Sequence, residues 1–318
     1  MLHLAGPRAA PPDLRLARVR SHVQAHWRVA RRRRRVRRAA VWTGIAAAAA
    51  TLVMFISRFG GSPAPAPATL AAASVARIGG PHGAAYRVTP AGAVRPLAVD
   101  EALAVGETIE TGEPGRVALR FADGTSVRLD VSSRAALVEA RAIELLKGAI
   151  YIDTGASAQR LEIRTPVGTA RDIGTQFEVR LMDAKLRLRV RTGAVELSDR
   201  IRSVTGHAGT EILFSASEAE SRPLAPFGAE WQWTVDVAPP IDIEGLALST
   251  YLERLAREQG WTVQYVDSTL ARDAGRIILH GSVAGLAPAD ALEVAIGTSG
   301  LAYRLDNGQL VVSRETSR

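Results

Sequence analysis

The sequence predicts a single-pass membrane protein whose body is an all-β domain, of the β-roll or β-helix-like kind, followed by a small α+β domain with two β-α-β-like halves. Three observations lead there. An uncharged run, Ala39 to Ile56, lies directly against a block of arginines. Apolar residues then recur at every second position from about 76 to 224, between regularly placed glycines. Beyond residue 241 a helix, glycine and strand pattern occurs twice, forty positions apart.

Charge orders the first part of the chain. Residues 1–58 hold thirteen arginines and a single acid, Asp13, a balance of +12 against +8 for the whole protein, which leaves −4 for everything after it. A basic chain suggests a polyanionic partner, but here the body is mildly acidic, so no nucleic-acid role is assigned to it. There is no cysteine, which excludes a disulfide framework and any thiolate metal site.

The short basic cytoplasmic segment, 1–38, has helix-start chemistry at Pro12 and Asp13, with Val19, Val23 and Trp27 along one side and arginines on the other. Such a helix either lies on anionic lipid or presents its apolar side to a cytosolic protein. Residues 39–56 then form the predicted transmembrane helix: eighteen uncharged residues give about 27 Å of helix, close to the roughly 30 Å of hydrocarbon. Seven of the eighteen are alanine, so the span sits near the insertion threshold. Arg31, Arg32, Arg33, Arg34, Arg35, Arg37 and Arg38 on one side, against Arg58 alone on the other, predict that the N-terminus stays in the cytoplasm. The localisation expected is therefore a bacterial inner membrane, single pass, with the body in the periplasm. A cleaved export signal is the competing reading, since Ala66 and Ala68 in the Pro/Ala linker, 57–75, are spaced like a cleavage site, and a twin-arginine signal is another.

Residues 76–224 read as the all-β domain. Val117, Leu119 and Phe121 share one face of a strand, Val127, Leu129 and Val131 share one face of the next, and Asp123-Gly124 between them is a hairpin turn. No helical period interrupts the series, which indicates a sandwich or a solenoid-like roll. In the junction, 225–240, Trp231 and Trp233 alternate as in a strand and Pro239-Pro240 stops it.

In the small domain, 241–318, Leu252, Glu253 and Gly260 return as Leu292, Glu293 and Gly300. Each unit is a helix, a glycine stop and an alternating strand. "RIILHGSV" between them is expected to be a further strand, and "QLVVS" to pair with "AYRL" across Asp306-Asn307-Gly308.

Little in the sequence carries chemistry. His22 and His26 are the one close histidine pair, and two ligands inside an arginine-rich arm do not make a metal site. No phosphate-binding glycine loop or strained nucleophile turn is present. Asp123, Asp130 and Asp172 fall in turns or at the polar positions of strands, where solvent contact is expected. Neither an enzyme nor a bound cofactor is predicted.

One stretch resembles a known family. Gly106, Thr111-Gly112, Asp123-Gly124-Thr125, Leu146 to Gly148, Thr165-Pro166-Val167-Gly168, Gly174-Thr175 with Phe177 and Val179, and Thr192-Gly193-Ala194-Val195 occur in the order seen in FecR proteins, membrane-anchored regulators of extracytoplasmic-function sigma factors. Asp123, Gly124, Gly148, Pro166, Gly168, Gly174, Thr175, Phe177 and Gly193 are then the turn residues of that motif set. The tail from Ile241 to Ser313 is similar to the small domain shared by secretins and TonB-dependent transducers. The resemblance implies a periplasmic contact with the signalling domain of an outer-membrane TonB-dependent transducer. It also implies a cytosolic sigma factor held or activated by the N-terminal segment, with Val19, Val23 and Trp27 as its contacts. Family members usually have a longer cytosolic region than the 38 residues found here. An exported envelope-binding or scaffold protein without sigma-factor activity is the other function the sequence allows.

Overall fold

The computed structural model describes residues 74–315 apart from Ala156, Ala158 and Thr298. The arginine block, the apolar run and Val19, Val23 and Trp27 lie outside the described residues. No helix among the described residues is long and apolar enough to cross a membrane.

The first sixteen strands are β1 (Ser74–Val88), β2 (Val94–Pro96), β3 (Ala102–Ala104), β4 (Thr108–Phe121), β5 (Ser126–Leu129), β6 (Arg134–Glu139), β7 (Ala142–Lys147) and β8 (Ala149–Asp153), then β9 (Glu162–Arg164), β10 (Thr169–Asp172), β11 (Gln176–Met182), β12 (Lys185–Thr192), β13 (Ala194–Ser198), β14 (Ser203–His207), β15 (Thr210–Ser215) and β16 (Ala219–Pro223). They form one hydrogen-bonded sheet in the order β14-β13-β10-β9-β7-β6-β4-β5-β8-β11-β12-β15-β16, with β1 along β4 and β2 and β3 against β1.

The fold turns on β4. Its first half, Thr108 to Glu110, pairs with β6, and its second half, Val117 to Arg120, pairs with β5. Gly112 and Gly115 flank the change of partner, and a Cβ on Gly115 would stand 2.0 Å from the carbonyl oxygen of Ala84, so only glycine lets β1 follow the bend. The two halves of the sheet therefore fold over one another. Ile109, Leu137, Ile143, Ile163 and Leu197 of one half pack with Leu119, Leu129, Ile152, Phe177, Leu188 and Phe214 of the other in a single buried core. At the far side the layers nearly meet again: the guanidinium of Arg202, before β14, donates to the carbonyl of Ser215 at the end of β15 and sits 4.5 Å from the ring centre of Phe214.

This is a rolled sheet. A β-helix stacks parallel strands coil upon coil, whereas among the described strands of this sheet only the β7–β9 pair is parallel, so the β-helix-like alternative is set aside. The hairpin at Asp123-Gly124 joins β4 to β5, with Gly124 at φ +88.

The junction departs from its expected form. Ala229–Trp231 is a 3-10 turn that runs into α1 (Gln232–Asp236), not a strand. An alternation of only two tryptophans suits a helical turn as well as a strand, and tertiary packing decides. Trp231 and Trp233 bury their rings against Ala118, Ala149 and Tyr151 on the outside of the roll, and Trp231 Nε1 donates to the Ala225 carbonyl at 2.8 Å.

The remaining elements are α2 (Leu248–Gln259), β17 (Thr262–Tyr265), α3 (Ser268–Arg276), α4 (Pro288–Gly297), β18 (Leu301–Asp306) and β19 (Gln309–Arg314). The strands form a separate sheet, β17-β19-β18, in which β17 is parallel and β18 antiparallel to β19. Leu248, Leu252 and Leu255 of α2, Leu270 of α3, Leu292 and Ile296 of α4, and Leu310 and Val312 of β19 make a core of their own. Gly260 and Gly300 both adopt left-handed backbone, at φ +72 and +68; Gly260 closes α2, and Gly300 lies three residues beyond the end of α4, just before β18. "RIILHGSV" is not a strand. Asp267 caps α3 by accepting from the N–H groups of Thr269 and Leu270, the helix continues to Arg276, and Ile278 makes one isolated bridge to Ala247. Neither half opens on a strand of this sheet, so the halves are helix-strand units and not β-α-β units.

Candidate interface on the outer face of the roll

Apart from exposed Lys185, the polar residues that alternate with the core residues of β5, β8, β11, β12 and β15 are buried or half-buried. Strand register aligns one row of them: Arg128 opposite Tyr151, Tyr151 opposite Glu178, Glu178 opposite Arg189, Arg189 opposite Glu211, and Glu211 opposite Arg222. Directly opposed side chains are about 5 Å apart at Cβ, so charges of opposite sign in a row pair along the sheet. Glu211 accepts from Arg189 Nε at 2.6 Å and from Arg222 Nε at 2.7 Å. Glu178 accepts from Arg187 at 2.7 Å, from Arg180 at 3.3 Å and from the indole N–H of Trp233 at 2.8 Å. Asp130 accepts from Arg116 at 2.8 Å and from Arg180 at 2.6 Å.

Two layers of chain cover this row. The first is the tryptophan turn with α1. Tyr151 lies edge-on to Trp231 and Trp233, with ring centres 6.3 and 6.5 Å away, and Arg191 stacks on Trp231 at 4.5 Å. The second is the end of α2. Arg128, fully buried, donates through Nη2 to both carboxylate oxygens of Glu258, at 2.8 and 2.7 Å, and through Nη1 to the Thr234 carbonyl at 2.7 Å. Arg257 pairs with Asp153, which also accepts from Gln176 Nε2 at 3.0 Å. The carbonyls of Arg257 and Glu258 accept from Gln176 and Arg191, at 3.2 and 3.0 Å.

Electrostatics follow from this arrangement. Burial alone would raise the carboxyls of Asp130, Asp153 and Glu211. Their arginine partners outweigh it and hold all three below the usual carboxylate range: Arg116 and Arg180 for Asp130, Arg257 for Asp153, and Arg189 with Arg222 for Glu211. Burial pushes the Tyr151 hydroxyl up to about 12. Arg191 is held below its ordinary value, chiefly by desolvation.

The turn residues predicted from sequence do not converge on this interface; they shape the strands that carry it. Asp123 accepts from the N–H of Thr125 and from Ser157, and pairs with Arg141. Gly124 and Gly174 have open space at the Cβ position, Gly148 faces Ser133, and Gly193 packs on Gly174. Thr165 closes the turn containing exposed Pro166 and buried Gly168, accepting from Gly168 N–H at 3.0 Å. Thr175 and Phe177 are buried in β11 or beside it. Asp130 and Asp172, expected in solvent, are both buried; Asp172 accepts from the Leu161 N–H at 2.5 Å. Among the described residues, no three of His, Asp or Glu come together as a metal-ligand set.

Residues 107–196, from the start of β4 into β13, match the family described as FecR protein. The chain carries a FecR domain. The FecR domain thus contributes the strands β5, β8, β11 and β12 of the charged row, while β15, α1 and α2 lie outside the matched residues. Among solved structures, two of a candidate anti-sigma factor from Parabacteroides distasonis ATCC 8503, at 2.50 and 1.65 Å, are 16% identical and cover 66% of this chain and 99% of that one, with a TM-score of 0.35. A cell surface anchoring domain is 28% identical over 20% of this chain and 86% of that chain, at a TM-score of 0.20. No curated protein matches the chain.

Sequence reasoning missed the interface, and Phe177, expected among the turn residues, lies within β11. Charged residues at alternate strand positions look like a solvated face until the strand register sets Glu178 and Glu211 beside Arg189. One signal was available: two tryptophans in a junction need a surface on which to bury.

Proposed function

We propose that this chain is a membrane-anchored regulator of an extracytoplasmic-function sigma factor, which relays a protein contact outside the membrane to the cytosol. The FecR domain over residues 107–196 carries this reading. The sequence order supports it, since a basic segment and an uncharged run precede that domain. On this reading Val19, Val23 and Trp27 contact the sigma factor, Ala39 to Ile56 anchors the chain, and the C-terminal small domain meets the signalling domain of a TonB-dependent transducer. The chain works by binding and not by catalysis.

Two experiments test the two ends. A cognate sigma factor should co-purify with residues 1–38 and be lost on Trp27→Ala; absence of any binding removes the cytosolic half of the proposal. Topology reporters fused after Arg38 and after Gly61 should report opposite sides of the membrane, and neutralising Arg31 to Arg38 should mix the orientations. A mature protein that begins near Thr69 would instead favour an exported envelope-binding protein.

A further inference from the structure

We infer that the C-terminal module, from Ile241 onward, is a detachable latch: it leaves the outer face of the roll as a folded unit and frees Arg128, Asp153, Gln176 and Arg191 of their partners at the end of α2. This inference stands apart from the sigma-factor reading, because everything it uses lies within residues 118–315.

Three observations carry it. First, the module owns its hydrophobic core. Leu248, Leu252, Leu292 and Leu310 pack with each other, and none belongs to the core of the roll or to the tryptophan cluster on its face. Second, the end of α2 holds the strands of the roll through polar contacts: Glu258 on Arg128, Arg257 on Asp153, and its last two carbonyls on Gln176 and Arg191. Groups of this kind are rehydrated when they separate, so parting them costs far less than opening an apolar core, and polar interfaces between domains are the ones that move. Third, the docked state leaves donors unused. Arg128 Nε and both Nε and Nη2 of Arg191 are buried without a hydrogen-bond partner, and Arg191 has a backbone carbonyl where a carboxylate would satisfy it better. Release lifts Gly260 away from Arg191 Nε, so that water can reach it. The connection permits it, since Pro239 to Ile243 belongs to no helix or strand.

Glu258 is the centre of the latch, as the carboxylate that, among the described residues, pairs with Arg128 and as the bearer of the carbonyl on Arg191. Glycine keeps the fit close at two further points. A Cβ on Gly260 would stand 1.8 Å from the Pro226 carbonyl oxygen, and one on Gly308 would stand 2.3 Å from the ring of Phe227.

The absence of cysteine makes the test direct. Single cysteines are placed in the full chain at Gln176, under the module, at Ala170, in the core of the roll, and at Ala291, in the core of the module; thiol-labelling rates are then compared. Q176C should label faster than A170C and A291C, and Glu258→Gln should accelerate Q176C by about 10- to 100-fold while leaving the other two unchanged. Because Q176C itself removes a contact to Arg257, the Glu258→Gln comparison is repeated with Gly308→Ala, which presses on Phe227 and should act in the same direction. Equal labelling at all three sites, or no selective acceleration by either substitution, overturns the latch and means that roll and module open only by unfolding together.

Discussion

Glu211 offers the sharpest test of the buried charged row. Its carboxylate is almost completely buried and serves two arginines, Arg189 at 2.6 Å and Arg222 at 2.7 Å. Arg222 is mostly exposed and regains water if the acid is lost. Arg189 cannot, because it lies beneath the tryptophan turn and is bound to the Glu230 carbonyl at 3.1 Å. Glu211→Ala therefore strands a buried cation, which costs about 3–5 kcal/mol. For a domain of this size each kcal/mol moves the melting temperature by about 2–4 °C, so the single variant should melt roughly 6–20 °C below the parent. Replacing both partners, as Arg189→Met with Glu211→Leu, removes the stranded charge and should recover most of that loss, because apolar replacements of similar volume are often neutral or stabilising. Thermal unfolding followed by circular dichroism reads both. If the double variant melts as low as Glu211→Ala, the loss comes from packing and not from an unpaired guanidinium, and the reasoning fails.

Two turn glycines should part company. Gly124→Ala meets open space and suffers only the left-handed backbone, about 1–2 kcal/mol, whereas Gly193→Ala adds a Cβ 2.5 Å from the Gly174 carbonyl oxygen and should be clearly worse in the same melting assay. Phe177→Ala, in the centre of the core, should cost about 3–5 kcal/mol. Acid should destabilise the roll in a definite window. The folded-state carboxyls of Asp130, Asp153 and Glu211 titrate below their unfolded values of about 4, so their contribution is complete above pH 4 to 5 and is lost as the pH falls through the lower folded values. A melting temperature that stays level from pH 7 to pH 3 would contradict the pairing.

The fold was legible wherever one face of a strand was apolar. Val117, Leu119 and Phe121, and Val127 and Leu129, announce their strands because water excludes every second residue. Gly260 announces the end of α2 because only glycine takes that backbone readily. What the other strand face does was not legible. Arg128, Glu178 and Arg189 follow the same alternation whether they meet water or each other, and partners 130 positions apart, as Arg128 and Glu258 are, leave no local mark. The junction was misread for the same reason: Trp231 and Trp233 bury against Tyr151, a residue of a distant strand. In "RIILHGSV" a run of β-formers invites a strand, but Ile278 finds only the bridge to Ala247, and the segment joins neither edge of the small sheet.

The path of β1 has a mechanical consequence. The chain comes into the roll at Ser74 and lies antiparallel to β4 through paired residues on both sides of its bend, from Ala76 opposite Phe121 to Val88 opposite Thr108. A pull on that end loads these hydrogen bonds in shear, together, and not one after another. The opposite end of the body is held through a few charged contacts at the tip of α2. Under tension between its two ends the body should yield at Glu258 and Arg257 long before the roll extends, which makes the weaker attachment a fuse that protects the stronger one.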